Sequence, residues 1–579
     1  LEPVPFLNSP SINNPTGISI VCLSALNFDT IFDELMEDLS DDLLSEYVHL
    51  KSEMDFDFII VGGGTAGLVL ANRLTEVPEI KVLVIEGGPD DRDYPQVLQL
   101  KSWMSLLGDP KFDLMYTTTE QPMGNSHILH SRAKVLGGCS SHNTLICFRP
   151  FPQDLDEWVK HGAVGWDSET IQPYGDRLLN HIQPAHEKDR NPIMGDWIES
   201  CQKTTQVPII ENFDGWSKTR YTEGTKVWTE GVGWLSIAYT PEDGHRSSAS
   251  VAYMHPIIGK RPNLHLMLNT WVEKLIIEGD RICGVVATPE NGQRVTLRAK
   301  HEVILSAGAI DSPRLLLLNG IGPAEQLKEL NIPLVADLPV GENLLDHPES
   351  IIMWSLHGPL EDKTVMESDA ALFIQRVKEE GETRPDLMFH VYSVPFADNT
   401  ERLGYPRPEN AICMTPNVCR PKSAGRLYLT SSDPKVKPAL DFRYFTDPKR
   451  EDERTIIDGI KIAREIAKQE PFSKWLKEEV APGPAVQSDE DIGAYGRAVH
   501  HTVYHPAGTC KMGAANDPTA VLDPLLRVRG LKGIRVVDAS VFPTMVTANP
   551  MISVEMVAER ASDLIKADYY RRTTATAHL

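Results

Sequence analysis

The chain has 579 residues, 41% of them hydrophobic and 7% aromatic, with a formal charge of −24 at neutral pH. No apolar run approaches the roughly 18 residues that a membrane-crossing helix needs, and so negative a surface repels phosphate backbones and anionic lipid while attracting small cations. Nucleic-acid and membrane partners are therefore not expected, and at about 150 residues per domain the length predicts several folding units or one elaborated enzyme. Eight cysteines, at positions 22, 139, 147, 201, 283, 413, 419 and 510, are scattered without a C-x-x-C pair and predict free thiols.

Residues 1–53 differ from the rest, with a Pro/Asn-rich start and the acidic stretch FDELMEDLSDDLLSEYVHL. Their apolar segment GISIVCLSALNF lacks the positive flank of a signal peptide, so they read as an N-terminal extension of unassigned role. From residue 55 the pattern FDFIIVGGGTAGLVLANRLTEV followed by KVLVIEGGPDD predicts buried strand, glycine turn, helix and second buried strand. Between 351 and 500 the runs ESIIMWSL, DLMFHVYSVPF and GRLYLTS predict an antiparallel sheet, with a helix near 453–468. GIRVVDASVFP and MISVEMVAERASDLIKA then read as a last strand and closing helix of the first unit.

Gly62, Gly64 and Gly67 form G-x-G-x-x-G between that first strand and helix, and Glu86 ends the next strand. Each has a physical task in holding a dinucleotide. Gly62 permits the tight turn, Gly64 lets backbone approach a pyrophosphate, and Gly67 lets helix pack on strand. The helix N-terminus stabilises the diphosphate charge, and Glu86 accepts hydrogen bonds from a ribose. The motif alone leaves FAD and NAD both open.

Four further segments carry a resemblance: SRAKVLGGCSSHNTLICFRP (131–150), GAIDSPRLLLLNGIGP (308–323), HTVYHPAGTCKMG (501–513) and VVDASVFPTMVTANPMISV (536–554). In this order they resemble the signatures of the glucose-methanol-choline (GMC) oxidoreductases. GGCSSHN, LLDHPE, RPDLMFHVYSVPF, VLQLKSWM and HTVYHP are similar to the family's choline oxidase branch. The resemblance implies an α/β fold with an added antiparallel sheet. Its Rossmann-like FAD-binding domain comprises 54–200, 240–348 and 503–570. A discontinuous substrate-binding domain with a large antiparallel sheet comprises 201–239 and 349–502, and 571–579 form a tail.

It also implies FAD as cofactor, tethered through His142 to the flavin 8α carbon; the alternative is a histidine merely hydrogen-bonded beside the ring. Thr65, Ala66, Val135, Gly138, Asn143, Val272, Asp538, Ala539, Asn549, Pro550 and Met551 join the glycines and Glu86 in the implied cofactor set. His505 is the implied proton acceptor and Asn549 its partner across the substrate oxygen, because removing hydride from an alcohol requires its hydroxyl proton to leave. His347 and His390 are implied to polarise or position that oxygen, against the ordinary alternative of core histidines. No H-E-x-x-H order accompanies the histidines, so no metal is expected.

Glu349 is implied to face a cationic head group, with Trp103 and Tyr504 as aromatic walls, Thr144 near the flavin, and Val503 at the oxygen-reaction edge. The branch's double-tryptophan segment is replaced here by ESDAALFIQ, so one wall is expected to become Ala371 or Leu372 and the cage to be incomplete. The expected reaction is oxidation of choline or a similar small primary alcohol to the aldehyde, or onward to the acid, with dioxygen reduced to hydrogen peroxide by a homodimer. A quinone-linked dehydrogenase, an oxidase of an uncharged alcohol, a non-redox lyase and a binding module remain as alternatives. Ala577-His578-Leu579 loosely fits an S-K-L type address, leaving peroxisome and cytoplasm both open.

Overall fold

The computed structural model describes residues 56–211, 213 and 230–577; the expectations for residues 1–53 and for His578 and Leu579 lie outside the described residues. Strand Phe56–Val61, buried along nearly its whole length, pairs in parallel with Val82–Ile85 on one side and Val295–Leu305 on the other. Continuous apolar runs of this kind belong to parallel strands covered on both faces. Leu264–Met267 and Ile534–Val536 extend the parallel array, and the hairpin Thr270–Glu278 with Arg281–Pro289 adds antiparallel strands, giving seven in all. The C-terminal run thus supplies the predicted last strand, and helix Met551–Ala577 packs against helix Thr65–Leu74.

The turn after Phe56–Val61 follows the glycine logic. Gly62 has φ +104°, and a Cβ there would meet the Ser306 carbonyl oxygen at 2.5 Å. A Cβ on Gly67 would lie 2.0 Å from the Gly62 oxygen, so helix and strand approach only with glycine there.

A second, eight-stranded sheet runs in the order Leu476–Ala481, Ile352–Leu356, Ala411–Val418, Leu387–Tyr392, Ala370–Ile374, Gly231–Trp234, with the short strands Pro348–Glu349 and His501–Thr502 at its side. Its neighbours pair antiparallel, as the alternating runs predicted. GRLYLTS departs from that expectation. Its strand Gly425–Tyr428 joins a separate three-stranded sheet with Glu342–Leu344 and Ala439–Asp441. One continuous apolar core runs through both large sheets. Among the described residues no helix is long and apolar enough to cross a membrane, and no histidine, cysteine and carboxylate group is arranged to hold a metal.

Candidate active site

A single cavity begins at the glycine turn and runs to the edge of the eight-stranded sheet. At its first end stand Gly62, Gly64, Thr65, Ala66 and Glu86. A Cβ on Gly64 would meet nothing nearer than Gly138 Cα at 3.7 Å, so here glycine leaves room for a ligand rather than for protein. Glu86 accepts from Gly63 N (2.9 Å) and Gly88 N (2.8 Å), and burial raises its pKa to about 7. Each carboxylate oxygen keeps a further acceptor site.

Gly138, His142, Asn143, Val272, Asp538, Ala539, Asn549, Pro550 and Met551 line the middle of the cavity. Asp538 ties this wall together by accepting from Gly308 N (2.9 Å), Ser312 Oγ (2.6 Å) and Ser540 N (2.8 Å). Gly67 acts by packing, the role read for it in the turn, and does not itself line the cavity; Val135, expected beside the cofactor, instead packs its side chain with Val97, Leu106 and Phe112. Ser306 Oγ, Asn549 Oδ1 and His390 Nε2 are buried with no protein partner, and all three residues line the cavity. Unsatisfied buried polar atoms cost about 1–3 kcal/mol each, so the lining fits a large polar ligand such as FAD.

At the far end His505 lines the cavity with His347 behind it. The two Nδ1 atoms lie 2.9 Å apart, and His347 Nε2 lies 3.0 Å from the Cys419 carbonyl oxygen. A carbonyl only accepts, so the neutral His347 ring carries its proton on Nε2 and accepts through Nδ1. His505 must then donate through Nδ1, which leaves a bare lone pair on its Nε2. Burial lowers His347 to about pKa 4, and burial, with His347, His390 and Arg132 nearby, holds His505 well below the ordinary range. The arrangement therefore presents a neutral base to the cavity. His347 was expected to polarise or position the substrate oxygen; the structure places it out of the lining, in contact with His505.

Asp346, which the sequence reading passed over, holds the backbone of this pair. It accepts from His505 N (2.9 Å), Thr502 Oγ1 (2.6 Å) and Tyr444 Oη (2.5 Å), and burial raises it to about pKa 6.

Glu349 and His390 reach the cavity from the sheet, 3.4 Å apart (Oε2 to Nδ1), and both are almost fully buried. No lysine or arginine pairs with Glu349 among the described residues. Trp103, Tyr504, Thr144 and Val503 line the same cavity. Ala371 and Leu372 do not. They are fully buried in the strand beside His390, and aromatic faces come instead from Tyr392 and Phe396, stacked at 5.4 Å with 14° between planes. Tyr392 follows His390 by two residues on one strand and so shares its face. The aromatic lining thus comes from a different strand and loop than the sequence led one to expect.

Two family models described as GMC oxidoreductase match residues 56–349 and 421–558. The chain is 43% identical to choline oxidase of Arthrobacter globiformis over 539 residues, 91% of this chain and 97% of that protein. It is 34% identical to the mitochondrial choline dehydrogenase of Homo sapiens, covering 89% of this chain and 90% of that one. Among solved structures it resembles a formate oxidase variant of Aspergillus oryzae with TM-score 0.78 and 25% identity, over 90% of this chain and 99% of that one. The chain belongs to the GMC oxidoreductase family. It is an oxidoreductase with the fold of that family, a Rossmann-like FAD-binding part and a part built on an antiparallel sheet.

Proposed function

We propose that this enzyme oxidises a small cationic primary alcohol, choline or a close analogue, to the aldehyde and passes the electrons to dioxygen, releasing hydrogen peroxide. The observation that carries the reading is Glu349. Among the described residues this carboxylate has no lysine or arginine partner, and it is buried in the wall of the cavity that Trp103, Tyr392, Phe396, Tyr504 and His505 also line. A buried carboxylate is costly unless a cation meets it, and a quaternary ammonium, which has no N–H to donate, is recognised by charge and aromatic faces.

When bound, FAD supplies the hydride acceptor. His505 takes the hydroxyl proton on Nε2 while His347 holds the ring, and the side-chain N–H of Asn549 donates to the substrate oxygen as that proton leaves. The aromatic side chains and Val503 keep water from the reacting carbon. His142 is the attachment point of the flavin.

Oxygen uptake and peroxide formation, recorded together during aerobic turnover of choline, test the assignment. Equal amounts of each are expected. Rapid reduction of an artificial dye with negligible oxygen uptake would make the enzyme a dehydrogenase, the activity named for the human relative.

A further inference from the structure

His142 sits on a buried hydrogen-bonded chain that substrate oxidation does not use. Its Nε2 lies 3.4 Å from Ser131 Oγ and 3.3 Å from the Leu106 carbonyl oxygen. Ser131 Oγ donates in turn to Asp113 Oδ2, which is 3.9 Å from the His142 ring nitrogen. Asp113 is rigidly held. Its Oδ2 also accepts from Gly108 N (2.7 Å), and its Oδ1 accepts from Met115 N (2.8 Å) and Arg132 N (3.0 Å). Among the described residues no lysine or arginine side chain pairs with Asp113; its charge partner is His142. Asp113, Ser131 and His142 are at most 3% exposed. Burial keeps the His142 ring neutral, lowering it to about pKa 4, with Asp113 opposing that shift.

We infer that Asp113, acting through Ser131, drives the self-catalysed attachment of FAD to His142. The inference rests on the reading of His142 as the attachment residue. Attachment requires a neutral imidazole, which the buried site provides. A ring nitrogen forms a bond to the flavin 8α carbon, an 8α C–H bond breaks and its proton leaves, and the electron pair of that bond reduces the flavin. Dioxygen, the acceptor proposed for turnover, takes the two electrons and leaves as hydrogen peroxide, restoring oxidised flavin. Whichever ring nitrogen forms the bond, the neutral ring becomes a cation as it is alkylated. A carboxylate 3.9 Å from His142 Nε2 in a dry site stabilises that charge, and the serine hydroxyl between them holds ring and carboxylate in place. Asp113 and Ser131 are thus positioning residues for a reaction of the protein on its own cofactor.

The test uses the full-length protein, wild type and with Ser131→Ala, Ser131→Thr, Asp113→Asn or His142→Ala. Each is acid-precipitated, and flavin is measured in pellet and supernatant; the His142 peptide is also weighed. Wild type and Ser131→Thr should keep flavin in the pellet. Ser131→Ala and Asp113→Asn should bind FAD but release it on precipitation, with attachment to flavin-free protein slowed by about 100-fold when FAD is added. Equal attachment rates in wild type, Ser131→Ala and Asp113→Asn would overturn the chain's role. Should Asp113→Asn fail to fold, because Asp113 also anchors three backbone amides, Ser131→Ala carries the test alone. Complete release by wild type would instead overturn the reading of His142, and the inference with it.

Discussion

His347 Nδ1 lies 2.9 Å from His505 Nδ1, and the proton count of the His347 ring makes it the acceptor in that contact. The base thus owes its bare Nε2 to a neighbour that never meets the substrate. Replacing His347 with Ala should lower kcat by about 100-fold or more while leaving KM for choline within about twofold. Asn, whose Oδ1 can stand in for Nδ1, should restore part of the rate. Steady-state kinetics of the two variants checks this.

Asp346 links activity to pH. Its carboxylate accepts three hydrogen bonds around His505, and its pKa is raised by burial to about 6. Protonation removes an acceptor from that set, so kcat/KM should fall as pH drops through about 6 and be independent of this group above it. Asp346→Asn should be slow at every pH and lose this acidic limb. A pH profile of kcat/KM for both proteins decides.

The aromatic wall makes its own prediction. Removing one cation–π face costs about 0.5–2 kcal/mol, so Tyr392→Ala should weaken choline binding by roughly 2- to 30-fold, and Tyr392→Phe should bind almost as wild type. Neither change should alter binding of the uncharged isostere with carbon in place of nitrogen by as much. Equilibrium dissociation constants measured anaerobically for both ligands test the difference.

Glu555 connects stability to pH. It is fully buried in helix Met551–Ala577, Asn180 Nδ2 donates to its Oε1 at 3.3 Å, and its Oε2 has no partner. Burial raises its pKa from 4.5 to about 8. A carboxyl whose folded pKa exceeds its unfolded value favours the fold most below the unfolded pKa and loses that contribution as pH rises to the folded one. Glu555→Gln does not titrate. Its stability relative to wild type should therefore rise by about 1.4 kcal/mol per pH unit between about 4.5 and 8, and then level off. Denaturant unfolding of both proteins across this range would show the slope.

Much of this was legible because some positions admit few residues. The glycine turn, Glu86 and the segments around His142, His505 and Asn549 serve backbone geometry or chemistry that few other side chains can perform, and the cavity brings them together. Asp346, Tyr392, Phe396 and Asp113 were not legible. An aspartate before a histidine, or a tyrosine in an apolar strand, has nothing local to mark it, and their roles arise from chain segments far away in sequence. His347 shows the same limit, since its residue type was informative but its depth behind His505 depended on packing. The absent tryptophan at ESDAALFIQ suggested an open cage, yet Ala371 and Leu372 lie outside the lining, and Tyr392 and Phe396 furnish aromatic faces from another strand and loop. The strand in GRLYLTS was correct as a strand, but its partners depended on the whole fold.

The most direct test of the central claim is anaerobic mixing of the purified, flavin-loaded enzyme with choline while the visible spectrum is followed, repeated with Glu349→Gln and with the uncharged isostere. Glu349 and His505 as assigned require rapid bleaching of the wild-type flavin by choline. They also require an at least tenfold higher half-saturating choline concentration in Glu349→Gln, equivalent to about 1.4 kcal/mol, and little change for the isostere. Bleaching by choline that saturates at the same concentration in wild type and Glu349→Gln would contradict the account.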